Sequence, residues 1–168
     1  MIKFSYTNLG DDFLYREMRR KDREISSDDA FKILKNGEFG FLSLVDIDSN
    51  PYGVPISYVL DGNFIYLHCA NLGFKLECMM NNPKVVFCVV GHTNVLPGEF
   101  STEYESAICF GIASIVEDID EIKKYMNIFC EKYSKDYLKE GEKYIINAMG
   151  QYKCIKIQIE HITGKSKK

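Results

Sequence analysis

The sequence has no tryptophan, four prolines and three histidines in 168 residues. Each scarcity removes a class of function. His68, His92 and His161 stand far apart, and none has a histidine or cysteine partner at metal-ligand spacing, so no metal site is expected. Net charge is only −3, from 21 basic and 24 acidic residues. Such a balance gives no basic surface for a nucleic-acid backbone. The longest unbroken apolar run, Val85 to Val90, falls far short of the roughly 20 residues a membrane span requires. The opening MIKFSYTNLGDDF carries acids where a signal peptide carries its apolar core, so the expected location is cytoplasmic. There is no GxGxxG, no P-loop, no HExxH and no assembled Ser-His-Asp order.

Six cysteines are present, at 69, 78, 88, 109, 130 and 154, without a CxxC. Most lie in apolar strand-like segments, where cysteine acts as a small hydrophobe. An apolar fraction of 46% with 13% aromatics describes a folded chain of one domain. At this length roughly 70% of the extended surface can be buried without staples.

No repeat or linker divides the chain. Residues 1–24 read as a charged, solvated arm and 25–168 as the domain. Ser26 and Ser27 ahead of Asp28 and Asp29 cap a helix that Gly37 stops. Strands are expected over 39–47, 52–60, 64–70, 85–90, 104–116 and 154–162, with Asp61-Gly62 a hairpin turn. Helices are expected over 72–81, 119–133 and 137–149. Six strands joined mainly by short turns predict a mainly β fold, an antiparallel barrel with peripheral helices.

Three segments carry possible chemistry. In IYLHCANLGFKL (65–76) a strand gives way to a helix whose first turn holds Gly73, Phe74 and Lys75. A lysine there opposes the macrodipole, and an interior glycine costs about 1 kcal/mol. Both fit an anion held on backbone N–H groups, and both equally fit an awkward surface helix. His68 shares a strand face with Tyr66 and Ala70, near the end that opens on this turn. A lone strand histidine is commonly a hydrogen-bonded filler, and its position is what raises it to a candidate. Finally, Pro55 within Tyr52–Tyr58 marks an edge or bulged strand whose free backbone and Ser57 hydroxyl suit a ligand, or simply an edge.

At these residues the chain resembles the pyridoxamine 5′-phosphate oxidase-like split-barrel flavoproteins, and within them the nitroimidazole-resistance (Nim), nitroreductase-like group. The carrying segments are MRRKDREI (18–25), FGFLSLVDIDSNPYGVPISYV (39–59), IYLHCANLGFKL (65–76), NNPKVVFCVVG (81–91), TEYESAICFGIASIVED (102–118) and IEHITGK (159–165). The resemblance implies an FMN-binding homodimer with NAD(P)H as electron donor and a small nitroaromatic-type acceptor. It implies isoalloxazine contacts at Val54, Pro55, Ile56 and Ser57, and phosphate contacts at Gly73, Phe74 and Lys75. His68 would lie beside the flavin, as catalytic residue and cofactor contact, and Glu105 and Ser106 would close the pocket. Phe74 departs from the family pattern, which has a basic residue there. A flavin carrier without turnover, or a haem-binding split barrel, would be compatible with the same fold.

Overall fold

A computed structural model describes residues 15–168; most of the predicted arm lies outside the described residues. The elements are β1 (Glu24–Ile25), α1 (Ser27–Asn36), β2 (Phe39–Val45), β3 (Pro51–Ser57), β4 (Val59–Asp61), β5 (Phe64–Ala70), α2 (Phe74–Asn81), β6 (Lys84–Leu96), β7 (Ser101–Val116), α3 (Ile119–Tyr133), α4 (Leu138–Ala148) and β8 (Tyr152–Lys167). All ladders are antiparallel, in the order β3-β2-β6-β7-β8-β5-β4, with β1 paired to β8. The fold is the expected mainly β split barrel with peripheral helices.

It has eight strands, not six. The stretch 52–60, which alternates like one strand, is two. β3 pairs with β2, and β4 pairs with β5 after the chain turns through Tyr58. The pattern of alternation runs through the corner, so periodicity alone hides it. β1 is two residues long and leaves no sequence signal. The polar segments GHTN and TEYE, expected partly as loop, pair with each other, so β6 and β7 run to Leu96 and back from Ser101. The chain turns there at the short helix Pro97–Glu99.

The β3–β2 register holds without a shift from Pro51 to Ser57, so Pro55 marks an edge strand and not a bulge. The bulge between β7 and β8 falls at Phe110/Gly111. A Cβ on Gly111 would sit 2.1 Å from the Gln158 carbonyl oxygen, which reserves the position for glycine. Gly37 ends α1 with extended dihedrals, not left-handed ones. Its missing side chain instead admits Val89 and the Tyr58 hydroxyl.

Two cores result. Inside the barrel, Leu42, Leu44, Ile65, Leu67, Phe87, Val89, Ile155 and Ile157 pack with α1. Outside it, the other face of β4, β5 and β8 supplies Val59, Tyr66 and Cys154, which α3 and α4 cover with Tyr125, Met126, Phe129 and Ile145. Asp118 caps α3 by accepting from the Glu121 N–H at 2.7 Å. All six cysteines are free thiols, and burial pushes Cys109 and Cys154 up to about 12, so they are inert packing groups. No helix among the described residues is long and apolar enough to cross a membrane.

Candidate functional site

Strands β3 and β4 end the sheet order on opposite sides, so the barrel is split between β3 and β5. The β4–β5 register sets Val59 opposite Tyr66. Ser57, two residues before Val59, closes β3 at the corner where the chain passes to β4, and at the far end of β3 Tyr52 touches the Phe74 ring edge-on, with centroids 4.9 Å apart. The β3 edge and the first turn of α2 therefore meet along one seam, and His68 stands on β5, the strand that leads into that turn.

On β3, Val54 and Ile56 turn toward the barrel core, whereas Pro55 and Ser57 face out and are exposed. A ligand on this edge meets Val54 and Ile56 through their backbone only. As an end strand, β3 also has backbone groups facing away from β2 that its one ladder does not use.

The α2 turn differs from the sequence expectation in one respect. Gly73 is the N-cap residue and not an interior position, with φ +146° and no side-chain cap. This is a conformation that glycine alone adopts freely, and no atom lies within 4 Å of where a Cβ would stand. Asn71, a possible cap by sequence, instead donates its amide to the Gly150 carbonyl at 2.7 Å, tying the end of β5 to the turn before β8. The Leu76 and Glu77 N–H groups bond to the Gly73 carbonyl, while the preceding N–H groups have no intrahelical partner. Lys75 is half-buried and makes no ion pair among the described residues. Phe74 anchors the turn through Tyr52.

His68 is half-buried on the outer face of β5. Phe129 of α3 meets its ring edge-on at 4.7 Å, and Tyr152 lies at 6.4 Å. The covering helix thus takes space that the strand pattern alone left open beside His68. Burial holds the imidazole below its ordinary 6.5, so it is neutral at pH 7.

Sequence reasoning missed the contribution of α3. The Tyr133 hydroxyl accepts from the Tyr58 N–H at 3.0 Å and lies 2.6 and 2.7 Å from the carbonyls of Glu38 and Tyr58. Lys132 donates to the Tyr58 carbonyl at 2.9 Å, over the Tyr58 ring, and burial lowers it to about 8. These bonds pin the corner directly after Ser57. Helical spacing puts 129, 132 and 133 together, but nothing in the sequence says which strand they dock on.

Glu105 and Ser106 do not join the seam. Ser106 pairs with Val90 and Lys165, and both β2 and β6 separate β7 from β3. At about 4.8 Å per strand the separation is roughly 14 Å. Glu105 accepts from the His92 N–H at 3.3 Å and lines a groove of about 270 Å³ with Asn36, Gly37 and Glu38. A larger apolar groove, about 410 Å³, lies on another face beside Tyr15, Leu44, Pro51, Val85 and Phe110; none of the predicted residues lines it.

Comparison with solved structures supports the fold. A candidate 5-nitroimidazole antibiotic resistance protein of Bacteroides thetaiotaomicron superposes with TM-score 0.69 at 24% identity, over 84% of this chain and 85% of that one. An FAD and haem binding protein of Mycobacterium smegmatis gives TM-score 0.71 at 17% identity, over 87% and 74%. An FAD-binding protein of Mesorhizobium loti gives 0.62 at 20%, over 87% and 98%. No curated protein matches by sequence. The family model described as pyridoxamine 5′-phosphate oxidase matches residues 26–166, from the cap of α1 nearly to the end of β8, and the chain belongs to that family.

Proposed function

We propose that the protein is an FMN-dependent oxidoreductase that passes electrons from NAD(P)H to a small acceptor of the nitroaromatic type, working as a homodimer. The observation that carries this is the α2 turn. It combines an open glycine cap at φ +146°, unused N–H groups and a lysine without an ion pair among the described residues, beside an exposed strand edge. That donor set fits a phosphate, and the edge fits a planar ring with polar atoms along one side.

Gly73, Phe74 and Lys75 would hold the phosphate through backbone N–H groups and one ammonium. The β3 backbone from Val54 to Ser57 would meet the ring's polar edge, with the Ser57 hydroxyl as a further donor or acceptor. Bound FMN would supply the two-electron exchange between nicotinamide and acceptor. His68, neutral at pH 7, would offer a hydrogen bond without adding charge. Phe129 packs against the His68 ring and Tyr133 holds the corner after Ser57. Glu105 and Ser106 lie too far away to join the seam of their own chain, and in a twofold dimer they would be contributed by the second copy.

The absorption spectrum of the purified protein, before and after incubation with FMN, tests the cofactor. Anaerobic oxidation of NADH and NADPH with a nitroaromatic acceptor then tests turnover. A protein that neither carries nor takes up FMN refutes the reading. Flavin bands without acceptor-dependent oxidation leave a flavin carrier, and a Soret band would point to a haem protein such as the mycobacterial relative's name describes.

A further inference from the structure

Two buried side-chain atoms lack any hydrogen-bond partner among the described residues: His68 Nδ1 and the Tyr152 hydroxyl. They are neighbours. His68 pairs with Cys154 across the β5–β8 ladder and Ala70 pairs with Tyr152, so the two rings are diagonal on the outer face, with centroids 6.4 Å apart. Phe129 packs edge-on against His68 and fixes the ring's inclination from above. We propose that Tyr152 is a positioning residue for His68: its hydroxyl, directly or through one ordered water, donates to Nδ1 and so keeps the imidazole hydrogen on Nε2.

The argument is one of satisfying buried donors. A buried polar atom without a partner is costly, and two on neighbouring rings are best satisfied by each other or by one shared molecule. The imidazole is neutral, so only one of its nitrogens carries hydrogen. Were that nitrogen Nδ1, it would donate to the tyrosine oxygen and leave the tyrosine's own hydrogen buried and unbonded. With the hydrogen on Nε2, a single bond uses the tyrosine donor and the Nδ1 lone pair together. Unpaired buried donors are rarer than under-used acceptors, which favours the second arrangement.

The consequence deepens the proposed reading of His68, and rests on it: with hydrogen on Nε2, the ring offers an N–H donor to a ligand that reaches it. The preferred ligand is then one with a lone pair facing β5, such as a nitro or carbonyl oxygen or an aromatic ring nitrogen, and not a group that donates hydrogen.

Nitrogen-15 NMR of ring-labelled histidine tests this on flavin-free protein at mildly alkaline pH, with the His68 signals assigned by their loss in His68→Gln. Wild type should show one neutral tautomer at His68 with hydrogen on Nε2. Tyr152→Phe removes only the hydroxyl and should convert this into a mixture of both tautomers or a reversal, whereas Tyr137→Phe, at an exposed tyrosine, should change nothing. Hydrogen on Nδ1 in wild type, or a Tyr152→Phe spectrum identical to wild type at His68, overturns the proposal. If Tyr152→Phe fails to fold, the wild-type tautomer alone decides. Because the sample holds no flavin, the result is independent of whether the protein proves to bind FMN, which the absorption spectrum settles separately.

Discussion

Lys75 is where charge, backbone and helix position converge, and its removal separates a phosphate site from a surface helix. It is the second residue of α2, after an N-cap glycine that offers no side chain. A lysine there opposes the helix dipole, and no described carboxylate pairs with it, so Lys75→Ala should leave the melting temperature of the flavin-free protein unchanged or slightly raised. With FMN bound, the ammonium would be the one cation supplied by this turn, since Phe74 is packed on Tyr52. A hydrogen bond to a charged group contributes roughly 1.5–3 kcal/mol, and at half-burial the lower part of that range applies. At about 1.4 kcal/mol per tenfold, FMN affinity should fall by about 10- to 40-fold. Riboflavin lacks the phosphate and should bind wild type and variant alike. Paired fluorescence titrations with the two flavins measure both quantities. An unchanged FMN affinity, or an equal loss for riboflavin, refutes the assignment of the phosphate to this turn.

Gly111→Ala should destabilise the fold by more than about 2 kcal/mol in urea unfolding, because its Cβ would meet a backbone oxygen at 2.1 Å that cannot turn aside; a loss below 1 kcal/mol would show that the bulge can shift. Tyr133→Phe removes the partner of the Tyr58 N–H and should cost about 1–3 kcal/mol, read in the same assay, and no loss would mean the corner finds other partners. His68 is held below its ordinary 6.5 by burial, so the unfolded chain binds its proton first as pH falls. Stability from this group is full above 6.5 and is lost as pH drops toward the folded value, so His68→Gln should flatten the pH–stability curve just below 6.5. An identical curve for the variant would mean that the imidazole is as solvated in the fold as in the unfolded chain.

The fold was legible where one residue type decides a local geometry. Gly62 takes φ +56° in the β4–β5 turn, Ser26 accepts from the Asp29 N–H at the start of α1, and Pro55 lies on an edge strand, all as their chemistry requires. It was not legible where two strands share one alternation. Val54 and Ile56 turn to the barrel core and Tyr58 is buried, so the side-chain pattern runs on while the backbone changes partners after Ser57. The hairpin arm beyond Val90 was missed for the opposite reason. Its β6 half is largely exposed and its β7 half uniformly half-buried, and polar strands without a buried face leave no periodic trace.

The candidate site divides in the same way. In the Gly73–Lys75 turn the lysine in the helix's first turn stands out from the chain alone, whereas the glycine, which reads as an interior position, is the N-cap. His68 could be placed on its strand face by alternation, but its environment could not. That environment is set by Phe129 and Tyr152, 61 and 84 residues later in the sequence. Which face of α3 meets which strand depends on the outer core as a whole, where Tyr125, Met126 and Ile145 are buried against Val59, Tyr66 and Cys154. The helix is held by those apolar groups, and Phe129, Lys132 and Tyr133 are carried to His68 and the Tyr58 corner with them. The site's polar geometry is therefore a by-product of hydrophobic docking at distant residues. A substitution such as Met126→Ala, far from the seam in sequence, would be expected to disturb His68 and the corner at Tyr58 together, because one helix face supports both.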